Sequence, residues 1–130
     1  MTKAEIEAAI GILQRAVERY PNYAPAHSML AFDLLLSGYI GWALMESQLQ
    51  QAAGLAARAE ELDHGDPWAH LALGYVAFVR RRTSAAAAEF QRALALNPNF
   101  AAAHGYLGWA LAFDGQSEQV YDISYISYLL

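Results

Sequence analysis

The dipeptide Ala-His occurs three times, at Ala26-His27, Ala69-His70 and Ala103-His104, and each time it stands where a run of helical spacing opens. The three histidines are separated by 43 and 34 residues. Recurrence at such a step points to a row of similar two-helix units, each covering its neighbour's apolar face, and away from one closed core.

The spacing of apolar residues predicts seven helices. Thr2 followed by Glu5 has the form of a capping box, and Ile6, Ala9, Ile10, Leu13, Ala16 and Val17 continue at three- and four-residue steps. A first helix should run from about Lys3 to Tyr20 and stop at Pro21. A second should begin near Ala24 or Pro25, carry His27, Leu30, Ala31, Leu34 and Leu35, and end at Ser37-Gly38, with a loop or distorted turn from Gly38 to Trp42. Leu44, Met45, Leu49, Ala52, Ala56, Ala59 and Leu62 then extend one helical face to Asp63. Asp66-Pro67 opens a fourth helix that ends at Arg80-Arg81-Arg82, and a fifth runs from Thr83 or Ser84 to Asn97-Pro98-Asn99. Ala101 to Phe113 and Ser117 to near Leu130 complete the set.

From His70 the chain reads His70-x-x-Leu73-Gly74-x-x-Ala77, then Ala86-x-x-x-Phe90-x-x-Ala93, then Pro98. This resembles the tetratricopeptide repeat, whose signature spreads an aromatic, Leu-Gly, Tyr, Ala, Phe and Pro over about 34 residues. His70 stands for the usual Trp and Ala77 for the Tyr. The resemblance implies an all-α fold, a right-handed α-solenoid of stacked antiparallel hairpins, as a single array over residues 1–130. Residues 1–23 would be a half repeat, 24–66 a repeat expanded by nine residues, 67–100 a regular repeat and 101–130 a degenerate terminal one. Composition suits this: the 27 alanines allow helices to approach closely, while Leu73, Phe90, Leu94, Leu96 and Leu107 fill the space between.

Arrays of this kind resemble peptide- and protein-binding scaffolds in which the first helix of each hairpin lines a concave groove. The resemblance implies a ligand groove at Phe32, Leu35, Leu71, Tyr75, Phe78, Trp109 and Phe113, with Ser28, Leu36, Val79, Gly105 and Ala112 alongside. Phe32, Tyr75 and Trp109 hold equivalent places, so successive repeats would present an aromatic ladder; packing against adjacent helices is the alternative role for each ring. Such a stripe suits an apolar or amphipathic helix. The chaperone-tail-binding members clamp a terminal carboxylate with Lys, Arg and Asn, and here those places hold Ser28 and Phe32, Leu71 and Tyr75, Gly105 and Trp109. An acidic C-terminal peptide is therefore not the expected ligand.

Other chemistry finds little support. With 130 residues, 56% hydrophobic and 16% charged, the chain is no disordered polymer, and the lack of cysteine removes disulfides, thiolate zinc sites and thiol catalysis. A net charge of −5 argues against nucleic acid or an anionic membrane surface as partner, and no apolar stretch approaches the roughly 20 residues that cross a bilayer. No signal peptide is visible at Met1 to Glu5, so a cytoplasmic protein is expected. No acid, base and nucleophile combine into a recognisable motif, so no enzyme, cofactor or metal is predicted. His27, His70 and His104 lie one repeat apart, farther than metal ligation at about 2 Å allows, and should bond to backbone or side-chain acceptors; His64 should be a solvated turn residue. Arg80-Arg81-Arg82 complements the negative end of a helix dipole, with an acidic partner as the alternative, and Glu60, Glu61, Asp63 and Asp66 should form a solvated rim.

Beyond Ser117, Tyr121, Tyr125 and Tyr128 form one stripe, and Ile123, Ile126 and Leu130 another. A solenoid ordinarily ends in a polar face. These two stripes therefore predict covered ends: a homo-oligomer associating through Tyr121, Tyr125, Ile126, Tyr128 and Leu130, or a fragment of a longer chain. The expectations are thus a scaffold for a protein or peptide partner, a self-association module, or a regulatory segment of a larger bacterial signalling enzyme or transcription regulator.

Overall fold

A computed structural model of the chain describes residues 2–39 and 46–113. Six of the seven expected helices lie there: α1 (Lys3–Arg19), α2 (Ala24–Tyr39), α3 (Glu46–Leu62), α4 (Pro67–Val79), α5 (Thr83–Leu96) and α6 (Ala101–Phe113). The seventh, with the terminal stripes at Tyr121, Tyr125, Ile126, Tyr128 and Leu130, falls outside the described residues, as does most of the loop expected at Gly38 to Trp42.

Local chemistry sets the boundaries. The capping box forms as its spacing predicts: the Glu5 amide donates to Thr2 Oγ1 at 3.2 Å and the Thr2 amide to Glu5 Oε2 at 2.9 Å. Asp66 caps α4, its Oδ1 accepting from the Trp68 amide at 3.0 Å, while Pro67 occupies a first-turn place where no amide donor is needed. Asp66 is thus buried, and the expected acidic rim loses one of its four members to helix capping.

Helix α2 pairs with α3 and α4 with α5 as antiparallel hairpins, α1 lies on α2, and α3 and α5 each touch the first helix of the next unit. The core is divided accordingly. One cluster joins Leu30, Leu34, Leu35, Leu49, Ala52 and Ala56 to Ala72 and Val76 of α4; the other joins Leu71, Ala86, Phe90 and Ala93 to Leu107 and Leu111 of α6. This is the open row of units that the repeat predicts. Alanines set the spacing, with Ala52, Ala56, Ala59, Ala69, Ala86, Ala93 and Ala103 all fully buried. The tightest approach is Gly74 against Phe90, where a methyl group on Gly74 would lie 2.5 Å from the ring.

The recurring histidines bond across or within the units. The Nε2–H of His27 donates to the Pro21 carbonyl at 2.8 Å and that of His104 to the Pro98 carbonyl at 2.9 Å, each reaching back six residues over a junction. Six residues before His70 stands His64, not proline; His70 instead sets Nδ1 2.8 Å from Glu89 Oε2, and the other oxygen of Glu89 accepts from Arg92.

Candidate functional site

A cleft of about 670 Å³ opens between α4 and α6. Helices α2 and α4 pack along one another, whereas α4 and α6 meet only briefly, and the space between them is this cleft. Tyr75, Phe78 and Val79 line it from α4, Tyr106, Trp109 and Phe113 from α6, Arg81 from the turn into α5 and Thr83 from the start of α5. The volume lies within the roughly 300–1,000 Å³ of ordinary ligand pockets.

The lining rings brace one another. Tyr75 meets Tyr106 edge-on with centroids 5.3 Å apart, Tyr106 meets Trp109 at 5.7 Å, and Phe78 meets Phe113 at 5.5 Å. Tyr106 also lies 5.7 Å from Phe90, so the cleft floor continues into the core. Edge-to-face pairs at these distances favour a defined arrangement of the rings. Trp109 remains 44% and Phe113 74% exposed, a large aromatic area open to a partner.

Four of the seven groove residues read from the sequence meet here: Tyr75, Phe78, Trp109 and Phe113. Three do not. Leu35 and Leu71 are 1% and 0% exposed and belong to the two core clusters, so they fill the space between helices and face no groove. Phe32 packs edge-on against Trp68 at 5.3 Å, and Trp68 meets Phe100 at a tilt with centroids 4.8 Å apart, a separate aromatic group. The ladder is therefore broken after its first rung. Ser28, placed beside the groove by the repeat, is also buried. Sequence reasoning left Tyr106 and Thr83 out of the groove, and it read Arg81 as part of a helix-end cluster with an acidic partner only as the alternative. Tyr106 stands three residues before Trp109, hence on the same helix face, and that spacing was the available signal.

A second, smaller cleft of about 370 Å³ lies among Glu60, Glu61, His70, Glu89 and Arg92. Glu89 is held between His70 and Arg92, and His64 Nδ1 lies 2.8 Å from Glu60 Oε1. The Glu60 hydrogen bond, followed by its negative charge, holds the exposed His64 imidazole above its ordinary value. Among the described residues no three His, Asp or Glu side chains gather as metal ligands, and no described helix is long and apolar enough to cross a membrane.

A model of the tetratricopeptide repeat family matches residues 89–120, running from within α5 through α6. That stretch carries a tetratricopeptide repeat, and the stacked hairpins have the fold of an array of such repeats. The array superimposes on a thermophilic tetratricopeptide repeat protein, TTC0263 of Thermus thermophilus, with a TM-score of 0.72 at 18% identity, over 98% of this chain and 75% of that one. MamA gives 0.69 at 23% identity, over 96% and 67%. These likenesses show a shared fold. In sequence, the array is 28% identical over 118 residues to the transcriptional regulator HilA of Salmonella typhimurium, and the Salmonella typhi protein of that name matches equally. The match covers 91% of this chain but 21% of HilA, so the chain spans about a fifth of the length of the curated relatives it matches.

Proposed function

We propose that this protein-interaction scaffold receives an apolar or amphipathic helix of a partner protein in the cleft between α4 and α6. The observation that carries the reading is the group of mutually braced rings, Tyr75, Tyr106 and Trp109, left partly open along a cleft of about 670 Å³. Large, stiff aromatic anchors of this kind dominate binding energy in helix-in-groove recognition. The test titrates a fluorescein-labelled model helix of about 15 residues, with Leu at helical spacing, against wild type, Trp109→Ala and Trp68→Ala. Trp68 is 40% exposed but lies outside the cleft, which makes it the matched control. Trp109→Ala should weaken binding about tenfold or more while Trp68→Ala changes it little. Equal effects of the two would refute cleft binding.

The likeness to HilA favours a second, compatible reading, in which the array is the partner-binding part of a larger transcription regulator. Cleft substitutions in the full-length gene product should then abolish regulation while leaving promoter occupancy intact, and loss of occupancy would count against it.

A further inference from the structure

The cleft carries one cation, and its position is unusual. At the end of α4 the Arg81 amide donates to the Phe78 carbonyl and the Arg82 amide to the Ala77 carbonyl, both at 2.9 Å. This double closure puts the residue after the helix cap in the left-handed region, and Arg81 has φ 61°. Glycine ordinarily fills such a place, because a Cβ there crowds the backbone. The turn instead runs Arg80-Arg81-Arg82 without a glycine. Arg80 is paired with Glu46 at 2.8 Å. Arg81 lines the aromatic cleft and has no carboxylate partner among the described residues. A strained backbone retained at a cleft is a reasonable mark of function.

We infer that the segment bound in the cleft carries a side-chain carboxylate beside its apolar anchors, and that Arg81 receives it. This deepens the cleft-binding reading above and rests on it. A guanidinium offers a planar fork of donors that fits a carboxylate in two parallel hydrogen bonds, and a rim charge of this sort fixes the register of a helix more than it adds affinity. The chain's net charge of −5 repels acidic segments in general, so selection for a carboxylate must come from a local cation, and Arg81 is the cation lining this cleft. The element is the turn between two helices of one hairpin, distinct from the first-helix positions that clamp a chain-terminal carboxylate, which here hold uncharged residues.

Two labelled model helices of about 15 residues test the inference, identical in their Leu and Phe anchors, one with Glu beside the anchors and one with Gln there. Anisotropy titrations with wild type should give about fivefold tighter binding of the Glu peptide, shrinking as salt is raised. Arg81→Gly should erase that preference while raising Tm, because glycine relieves the left-handed backbone; loss of preference cannot then be laid to a damaged fold. Equal binding of both peptides by wild type, or an undiminished Glu preference in Arg81→Gly, overturns the assignment of Arg81. Trp109→Ala separates the two readings. If it weakens both peptides where wild type shows no preference, cleft binding stands and the Arg81 assignment alone falls. If it weakens neither, or if wild type binds neither peptide, both fall.

Discussion

Gly74 and Gly105 sit in corresponding helices, α4 and α6, and the same substitution should act on them with opposite sign. A Cβ built on Gly74 lies 2.5, 2.6 and 3.0 Å from Cε1, Cδ1 and Cζ of Phe90, whereas one on Gly105 meets nothing within 4 Å. Carbon atoms rest about 3.5–4.0 Å apart, so the Phe90 ring would have to retreat by about 1 Å. Phe90 is fully buried in the cluster of Leu71, Ala86, Leu107 and Leu111, so a retreat of the ring presses on packed neighbours. Overpacking of this kind costs about 2–3 kcal/mol, against a gain of about 1 kcal/mol for replacing a helical glycine by alanine. Gly74→Ala should therefore lose about 1–2 kcal/mol and Gly105→Ala gain about 0.5–1 kcal/mol. At about 4 °C per kcal/mol for a chain of this size, thermal unfolding followed by circular dichroism resolves both. A Phe90→Leu background completes the test: with a smaller partner, Gly74→Ala should lose most of its penalty, a coupling of about 1 kcal/mol or more. Stabilisation by Gly74→Ala, or a penalty unchanged by Phe90→Leu, would refute the argument that the Gly74–Phe90 contact sets the hairpin spacing.

Two titratable groups give pH predictions. Burial raises the Asp33 carboxyl above its ordinary value of 3.8, so between that value and the folded one the native state holds more protons than the unfolded state, and stability from this group falls as pH rises through the folded value. Asp33→Asn should accordingly stabilise the protein near neutral pH, with the advantage over wild type vanishing below 3.8 in urea titrations. For His64 the raised value means that stabilisation is full below 6.5 and is lost as pH rises through the folded value; NMR should place its midpoint above 6.5, and Glu60→Gln should bring it down. An unmoved midpoint in Glu60→Gln would contradict the hydrogen bond between them.

The helices were largely legible in the sequence because their ends are local chemistry. Thr2 with Glu5, Asp66 with Pro67, and the Pro21 and Pro98 junctions each act within a few residues, and the described helices begin and end within about two residues of expectation. The site was half legible. Repeat register put Tyr75, Phe78, Trp109 and Phe113 on one side, and the four line one cleft, but register alone treats every first helix as equally spaced. In the structure α2 and α4 close on each other, which buries Leu35, while Leu71 is taken into the core between α4, α5 and α6. The cleft exists where α4 and α6 part, a property of three-dimensional packing that no single position announces. In sequence the arginine run reads as one charged cluster with an acidic partner as its alternative; that Arg81 alone of the three lines the cleft follows from the turn geometry, with its left-handed backbone, and not from the run itself.

Helix α4 is a party wall. Leu71 belongs to one cluster, Ala72 and Val76 to the other, and Tyr75 packs against the α2–α3 cluster while lining the cleft. Opening of the first hairpin would therefore strip one face of α4 and loosen Tyr75 without dissolving the α5–α6 side. Under the proposed cleft binding, a ligand seated there would hold Tyr75 and so resist that opening from a distance. Amide exchange in α2 and α3, which no ligand atom need touch, should slow when the cleft is filled, making the quiet end of the array a reporter of occupancy at the other.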